Sequence, residues 1–354
     1  MQVQNPINVN LLLKKENYRM HDKIWGFMTH LSGNTWINGK NAGIRSMVLE
    51  DEMLDFIIEE GAKAGFNTLI LEVNDGLEYG THPEISVKGA WSRKKLRDTI
   101  KRCREKGITV MPELNLSAAH DMWLGAYERM RCTPQYYRLV DDLIKEVYEL
   151  FEHPKYIHLG MDEEDAKHLE KRPYAMYRQK DLYWHDLRFM MDSVICAGAT
   201  PWIWSCPLFD HPEEFKKHID AEEVVISPWY FNAFRKEHWT PVESRAEYVA
   251  YYNEGDYAKL GIKYVEEDPF LVNVREKAIP LTKEGYRYIP CASVYNRCEY
   301  NACDLMEYFK DNAPDDQILG YITAPWYGGE MKNKAFFQES FDTVKAAREI
   351  IYGK

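Results

Sequence analysis

The sequence predicts an α/β protein folded as a single-domain (β/α)8 TIM barrel. Three observations point there. Short apolar runs alternate with long amphipathic segments eight times along the 354 residues. The runs are continuous rather than alternating, as expected of parallel strands covered on both faces. The length suits one large barrel, which needs about 250 residues before insertions. Eight β-then-α units favour a closed barrel over an open doubly wound sheet.

Residues 1–20 read as an N-terminal leader and 21–354 as the barrel. The first strand is Ile24–Met28, followed by a helix over Leu49–Ala64 that Gly65 ends in the usual C-cap position. Thr68–Val73 is the second strand; Ser92 is a plausible N-cap for a helix reaching Lys106. Ile108–Glu113 is the third, its Pro112 fitting a strand exit, and Pro134 sits in the first turn of a helix reaching Phe151. The fourth strand, Tyr156–Leu159, precedes a helix over Met176–Ala197. Pro201–Trp204 and Val224–Ser227 are the fifth and sixth strands, with helical segments over Glu243–Leu260 and within Val272–Lys283. The seventh lies within Tyr286–Val294 and a helix starts near Asn301; the eighth is Gln317–Ile322, before a helix over Ala335–Ile350.

Composition excludes several classes of function. The net charge is -11, with no basic stripe or Lys/Arg-rich arm, so nucleic acid is not an expected partner. No apolar run reaches the roughly 18 residues of a bilayer span, so a membrane is not one either. The start Met1–Pro6 lacks a charged and apolar signal, which reads as cytoplasmic, or as secreted if a signal has been trimmed. Seven cysteines without a C-x-x-C pair argue against a disulfide framework or zinc site, and the histidines show no ligand-like spacing. No metal or other cofactor is expected. Oligomeric state is not legible. Aromatic residues are unusually frequent, with 10 Trp, 24 Tyr and 14 Phe. Several of them fall where strands should end, where flat rings can hold the apolar face of a sugar.

The segment Tyr156-Ile157-His158-Leu159-Gly160-Met161-Asp162-Glu163-Glu164 carries the most information. An apolar run ends in glycine and delivers adjacent acids, as a buried strand does at the C-terminal mouth of a barrel. Buried acids are costly, so they need partners or chemistry. The competing reading is a helix N-terminus, where acids suit the dipole. The other strand ends tip the balance. They offer Thr29 and His30; Glu72, Asn74 and Asp75; Glu113, Asn115 and His120; Trp202 and Trp204; Trp229 and Tyr230; Tyr295, Asn296 and Arg297; and Trp326, Tyr327 and Glu330. Acids, amides and indoles converging on one rim are what sugar hydrolysis requires.

The motifs resemble those of the family-20 glycoside hydrolases, the β-N-acetylhexosaminidases. Their fourth-strand H-x-G-G-D-E is matched by His158-Leu159-Gly160-Met161-Asp162-Glu163, and their third-strand P-E-[IL]-D-x-P-G-H by Pro112-Glu113-Leu114-Asn115, with His120 one residue further on. Gly65-Phe66-Asn67 matches their second-strand entry, and Trp202 or Trp204, Trp229 and Trp326 correspond to their tryptophans. The resemblance spans about residues 20 to 350. It implies hydrolysis of a terminal β-linked N-acetylhexosamine by substrate-assisted, retaining catalysis. Glu163 is then the acid/base and Asp162 orients the acetamido group. His158, His120, Trp204, Trp229, Tyr295, Trp326 and Glu330 bind substrate. A neighbouring carboxylate and partial burial are expected to favour a protonated Glu163. Four departures stand out: Met161 replaces the second glycine, Asn115 replaces an aspartate, the Pro-Gly is missing, and Thr29-His30 stand where an arginine is usual. Two other readings use the same residues. One is a retaining glycosidase with a protein nucleophile such as Glu299 or Glu330 on a non-acetylated sugar. The other is a non-catalytic sugar-binding barrel.

Overall fold

The structure, a computed structural model, describes residues 23–37, 40–173, 176–235, 238 and 269–353. The expected leader at 1–20 and the helix over Glu243–Leu260 lie outside the described residues. All strands of the main sheet run parallel. They are β1 (Ile24–His30), β4 (Thr68–Glu72), β5 (Thr109–Glu113), β6 (Tyr156–His158), β7 (Thr200–Trp204), β8 (Val225–Ser227), β9 (Arg287–Tyr288), β10 (Cys291–Ala292) and β11 (Gly320–Thr323). β9 and β10 are two halves of one strand interrupted at Ile289-Pro290. The β8 side is held by Ile289 N–H to Ile226 O (2.9 Å) and Cys291 N–H to Pro228 O (2.9 Å). The β11 side is held by Leu319 N–H to Tyr288 O (2.9 Å) and Ile322 N–H to Pro290 O (3.0 Å). With β11 paired to β1, the eight-stranded barrel closes.

Both strand faces are buried, which explains their unbroken apolar runs. Phe27, Leu69, Leu71, Val110, Ile157, Ile203 and Ile226 face the helical shell, while Met28, Ile70, Met111, Tyr156, Trp202 and Val225 fill the barrel interior. The helices present one apolar stripe each. Helix α1 (Asp51–Lys63) buries Met53, Leu54, Ile57 and Ile58. In α2 (Arg93–Glu105), the Ser92 side chain accepts from Lys95 N–H as the N-cap. In α3 (Pro134–Leu150) the stripe is Leu139, Val140, Leu143, Ile144 and Val147, at the 3.6-residue spacing that covers a sheet. Helix α5 (Asp181–Ala197) starts five residues later than expected from sequence, because 176–180 serve the loop after β6. Of the described residues, none forms a helix long and apolar enough to cross a membrane. The seven cysteines are free thiols.

The sequence reading missed an antiparallel hairpin, β2 (Ser32–Ile37) with β3 (Lys40–Met47), inserted after β1. Its strands flank Asn38-Gly39, a strong hairpin signal. The hairpin fences one side of the barrel mouth. Arg45 meets Asp75 at 3.0 Å after β4 and also donates to Trp123 O; Asn41 N–H donates to Lys171 O at 3.0 Å in the loop after β6.

Candidate active site

Strand periodicity builds the floor of the mouth. Inward positions recur every second residue, and the ladder puts His30, Glu72, Glu113 and His158 in register on four successive strands. Two adjacent glutamates would repel if both were charged. Each instead faces one histidine. Glu72 pairs with His30, and Glu113 Oε1 lies 3.0 Å from His158 Nδ1, with both of those side chains fully buried.

The two pairs hold protons differently. Burial opposes ionisation of Glu72, but the charge and hydrogen bond of His30 outweigh it and hold Glu72 below the usual carboxylate range. His30 is correspondingly raised, its partner Glu72 prevailing over burial. Burial, reinforced by the charges of Glu72 and Asp162, pushes Glu113 well above that range. Burial also lowers His158 to about 3. His158 Nδ1 accepts from Gly160 N–H at 3.1 Å, so its lone pair is engaged by the backbone, and neither oxygen of Glu113 makes a hydrogen bond among the described residues. A protonated Glu113 beside a neutral imidazole follows.

Above this floor the loop after β6 turns sharply. Gly160, Met161 and Glu163 have φ of 71°, 69° and 56°, in the left-handed region. Gly160 is required there: a Cβ would sit 2.1 Å from Asn115 Oδ1. Met161 adopts the same conformation as a non-glycine residue, with its side chain buried in the outer core. This turn aims Asp162 and Glu163 at His120, whose Nε2 lies 3.3 Å from Asp162 Oδ2 and 3.2 Å from Glu163 Oε2. Asn115 Nδ2 donates to Asp162 Oδ1 at 3.2 Å. Burial works to raise Asp162, yet the His120 charge, its hydrogen bond and the Asn115 amide hold it below the ordinary value. Burial likewise works to lower His120, and the two acids raise it well above the imidazole value. The three side chains are close enough to admit a cation, one ligand atom of each lying within 4.8 Å of the others. His120 Nε2 stands at ion-pair distance from both acids, and no metal is assigned.

His168, absent from the sequence reading, completes the set. Its Nε2 lies 3.4 Å from Glu163 Oε1 and its Nδ1 2.7 Å from Asp165 Oδ2. Asp165 caps the short helix α4 (Ala166–Leu169) by accepting His168 N–H at 2.9 Å, which fixes the ring's position. The signal was the Asp-x-x-His spacing. Glu164, the third acid, has a structural job: it accepts from Ala118 N–H at 2.7 Å and pairs with buried Arg178. Arg172 (2.9 Å to Asp121) and Arg131 bind Asp121, and Arg178 Nη2 donates to Leu116 O at 3.1 Å. These buried cations lock the His120 loop onto the Asp162-Glu163 loop.

An aromatic wall stands opposite. His158 packs edge-on to Trp204 (4.7 Å), Trp204 to Trp326 (5.6 Å), Trp326 near Phe231 (6.0 Å), and Phe231 stacks on Trp229 (5.1 Å). His30 approaches Trp326 at 5.9 Å. The Trp326 indole Nε1 is shielded and makes no hydrogen bond among the described residues. Thus His120, Asp162 and Glu163 form one cluster, and His158, Trp204, Trp326 and Trp229 the floor and wall. Two expected binding residues lie apart in rim loops. Tyr295 is 53% exposed and packs toward Tyr327 at 6.1 Å; Glu330 meets Lys332 at 3.0 Å and Asn333 at 3.3 Å.

No protein-family model matches the chain. Solved structures do. The chain is similar to a β-N-acetylhexosaminidase from Bacteroides fragilis (15% identity, TM-score 0.59, covering 93% of this chain and 65% of that one). It is similar to a family-20 exo β-N-acetylglucosaminidase from Vibrio harveyi in complex with N-acetylglucosamine (14%, 0.57, 92% and 54%). A third is the family-20 β-N-acetylhexosaminidase of Streptomyces coelicolor A3(2) (11%, 0.55, 94% and 69%). The chain therefore shares, as a divergent structural relative, the barrel fold of the family-20 glycoside hydrolases, and it spans between about half and two thirds of the first two of these structures' length.

Proposed function

We propose that the protein is a glycoside hydrolase that removes a terminal β-linked N-acetylhexosamine by substrate-assisted, retaining catalysis. The observation that carries this reading is the convergence of Asp162 and Glu163 on one imidazole at 3.3 and 3.2 Å. The substrate's own acetamido oxygen attacks the anomeric carbon as the glycosidic C–O bond breaks. Glu163 passes its proton to the departing oxygen. Asp162, kept ionised by His120 and Asn115, pairs with the acetamido nitrogen as that nitrogen becomes positive in the oxazoline. Water then opens the oxazoline and returns its proton to Glu163. This route lies outside the two-carboxylate scheme of most glycosidases. Trp204, Trp326 and Trp229 supply apolar surface for the sugar ring.

The test is a panel of aryl β-glycosides, N-acetylated and not, with wild type and Glu163→Gln. Turnover of N-acetylated substrates alone, inhibition by a thiazoline analogue and loss of turnover in the variant are expected. Turnover confined to non-acetylated sugars would remove the acetamido route. Undiminished turnover by Glu163→Gln would remove the acid/base role.

A further inference from the structure

Glu163 has two imidazoles, not one, and they differ. His120 sits between both acids, and Asp162 binds its charge. His168 faces only the other oxygen of Glu163 and is backed by Asp165. We infer that His168 and Glu163 hold one proton between them, so that His168 is the store from which the acid/base is kept loaded near neutral pH. This inference rests on the proposed function for its role in turnover, though the pair itself does not.

The geometry fixes the direction of exchange. Asp165 Oδ2 accepts from Nδ1–H at 2.7 Å, so a neutral ring presents the Nε2 lone pair to Glu163. A proton on Glu163 Oε1 then lies within reach of Nε2, the two atoms being 3.4 Å apart. If it crosses, the result is a carboxylate beside an imidazolium flanked by two acids. The proton count is the same in both forms, so no other reactant is needed. Other charged or titratable groups face this pair. They are His120 from the loop after β5, Asp162 and Asp165 from the same loop, and Cys206 and Asp210 from helix α6 (Cys206–Asp210), which act electrostatically on Glu163 and Asp165. None of them contacts His168 Nε2 as Glu163 does.

The test compares wild type with His168→Gln, whose polar amide can face Glu163 but cannot store its proton. The alkaline limb of kcat/KM is expected to move to lower pH by about one unit or more, with activity at the acid plateau retained within a few fold. The drop near neutral pH should be larger for substrates with poor leaving groups than for 4-nitrophenyl glycosides. A uniform loss with an unmoved limb would overturn the store and leave His168 a scaffold residue. A second readout needs no turnover: the NMR titration of the His168 ring in wild type and Glu163→Gln. Removing the carboxylate should shift the midpoint to lower pH, and an unchanged midpoint would overturn the pair. Were wild type to hydrolyse no glycoside while the midpoint still moved, the pair would stand and the hexosaminidase reading would fall.

Discussion

Glu72 and Glu113 stand in register on neighbouring strands, yet one is held ionised by His30 and the other is driven toward its protonated form by burial. Pushing paired carboxylates apart in this way lets a single dry floor carry both a charge and a neutral donor. Glu113→Gln should preserve the shape of the floor while removing the titrating carboxyl. A carboxylate whose folded pKa is raised contributes stability that is present below its unfolded pKa, about 4.3, and lost as pH rises through the folded value. The Tm of Glu113→Gln should therefore rise relative to wild type as pH increases from 5 toward 9. Parallel Tm–pH curves would show that Glu113 is not protonated in the folded state.

Asn115 stands in for an aspartate in the family pattern, and its amide donates to Asp162. Asn115→Asp would keep the oxygen that accepts Ser117 N–H at 3.1 Å but set a second carboxylate against Asp162. One of the two should then take up a proton. At pH 7, kcat should drop by at least about tenfold, the equivalent of one pKa unit of lost ionisation. An unchanged or improved kcat would mean that Asp162 does not depend on the amide.

The His120–Asp162 pair should leave a mark on stability. Asp162, with a lowered folded pKa, stabilises above about pH 3.9 and loses this as pH falls through its folded value. His120, with a raised folded pKa, stabilises below about pH 6.5 and loses this as pH climbs through its folded value. Both contributions are complete between those limits. His120→Gln should cost more Tm at pH 5.5 than at pH 10 in thermal denaturation. An equal cost at both would mean the imidazole is uncharged. The side chains are partly exposed, so high salt should shrink the effect.

Met161→Gly would restore the glycine of the family pattern. It should relieve about 1–2 kcal/mol of left-handed backbone strain while forfeiting a buried side chain worth about 2–5 kcal/mol. The packing term is larger at the centre of its range, so a net loss of about 2 kcal/mol (within about 0–4) is expected in urea denaturation. A gain in stability would show that the side chain packs poorly.

Much of this was legible in the sequence. The eight strands and the acid pair could be read because parallel strands covered on both faces leave continuous apolar runs, and because Gly160-Met161-Asp162-Glu163 follows one of them. His120 was identified through a motif even though its loop is one residue longer. What could not be read was pairing across the mouth. Nothing local says that His168 turns back to Glu163, or that Glu164, next to two candidate catalytic acids, is spent on Arg178. Tyr295 and Glu330 were chosen by strand position, but rim loops direct them to Tyr327 and to Lys332 instead. The hairpin was overlooked because Ser32–Met47 is too polar to resemble a barrel strand, although Asn38-Gly39 announced a turn.

The broken seventh strand sets where the cylinder comes undone. Residues 289 and 291 donate toward β8, so position 290 faces β11, and proline brings no N–H to that side. The wall thus lacks one rung along the line between Pro290 and β11. Native-state amide exchange should begin at Ile318–Ile322 before it reaches β4 or β5. An opening there would part the strand leading into Trp326 from its neighbour before the carboxylates on the far side had moved.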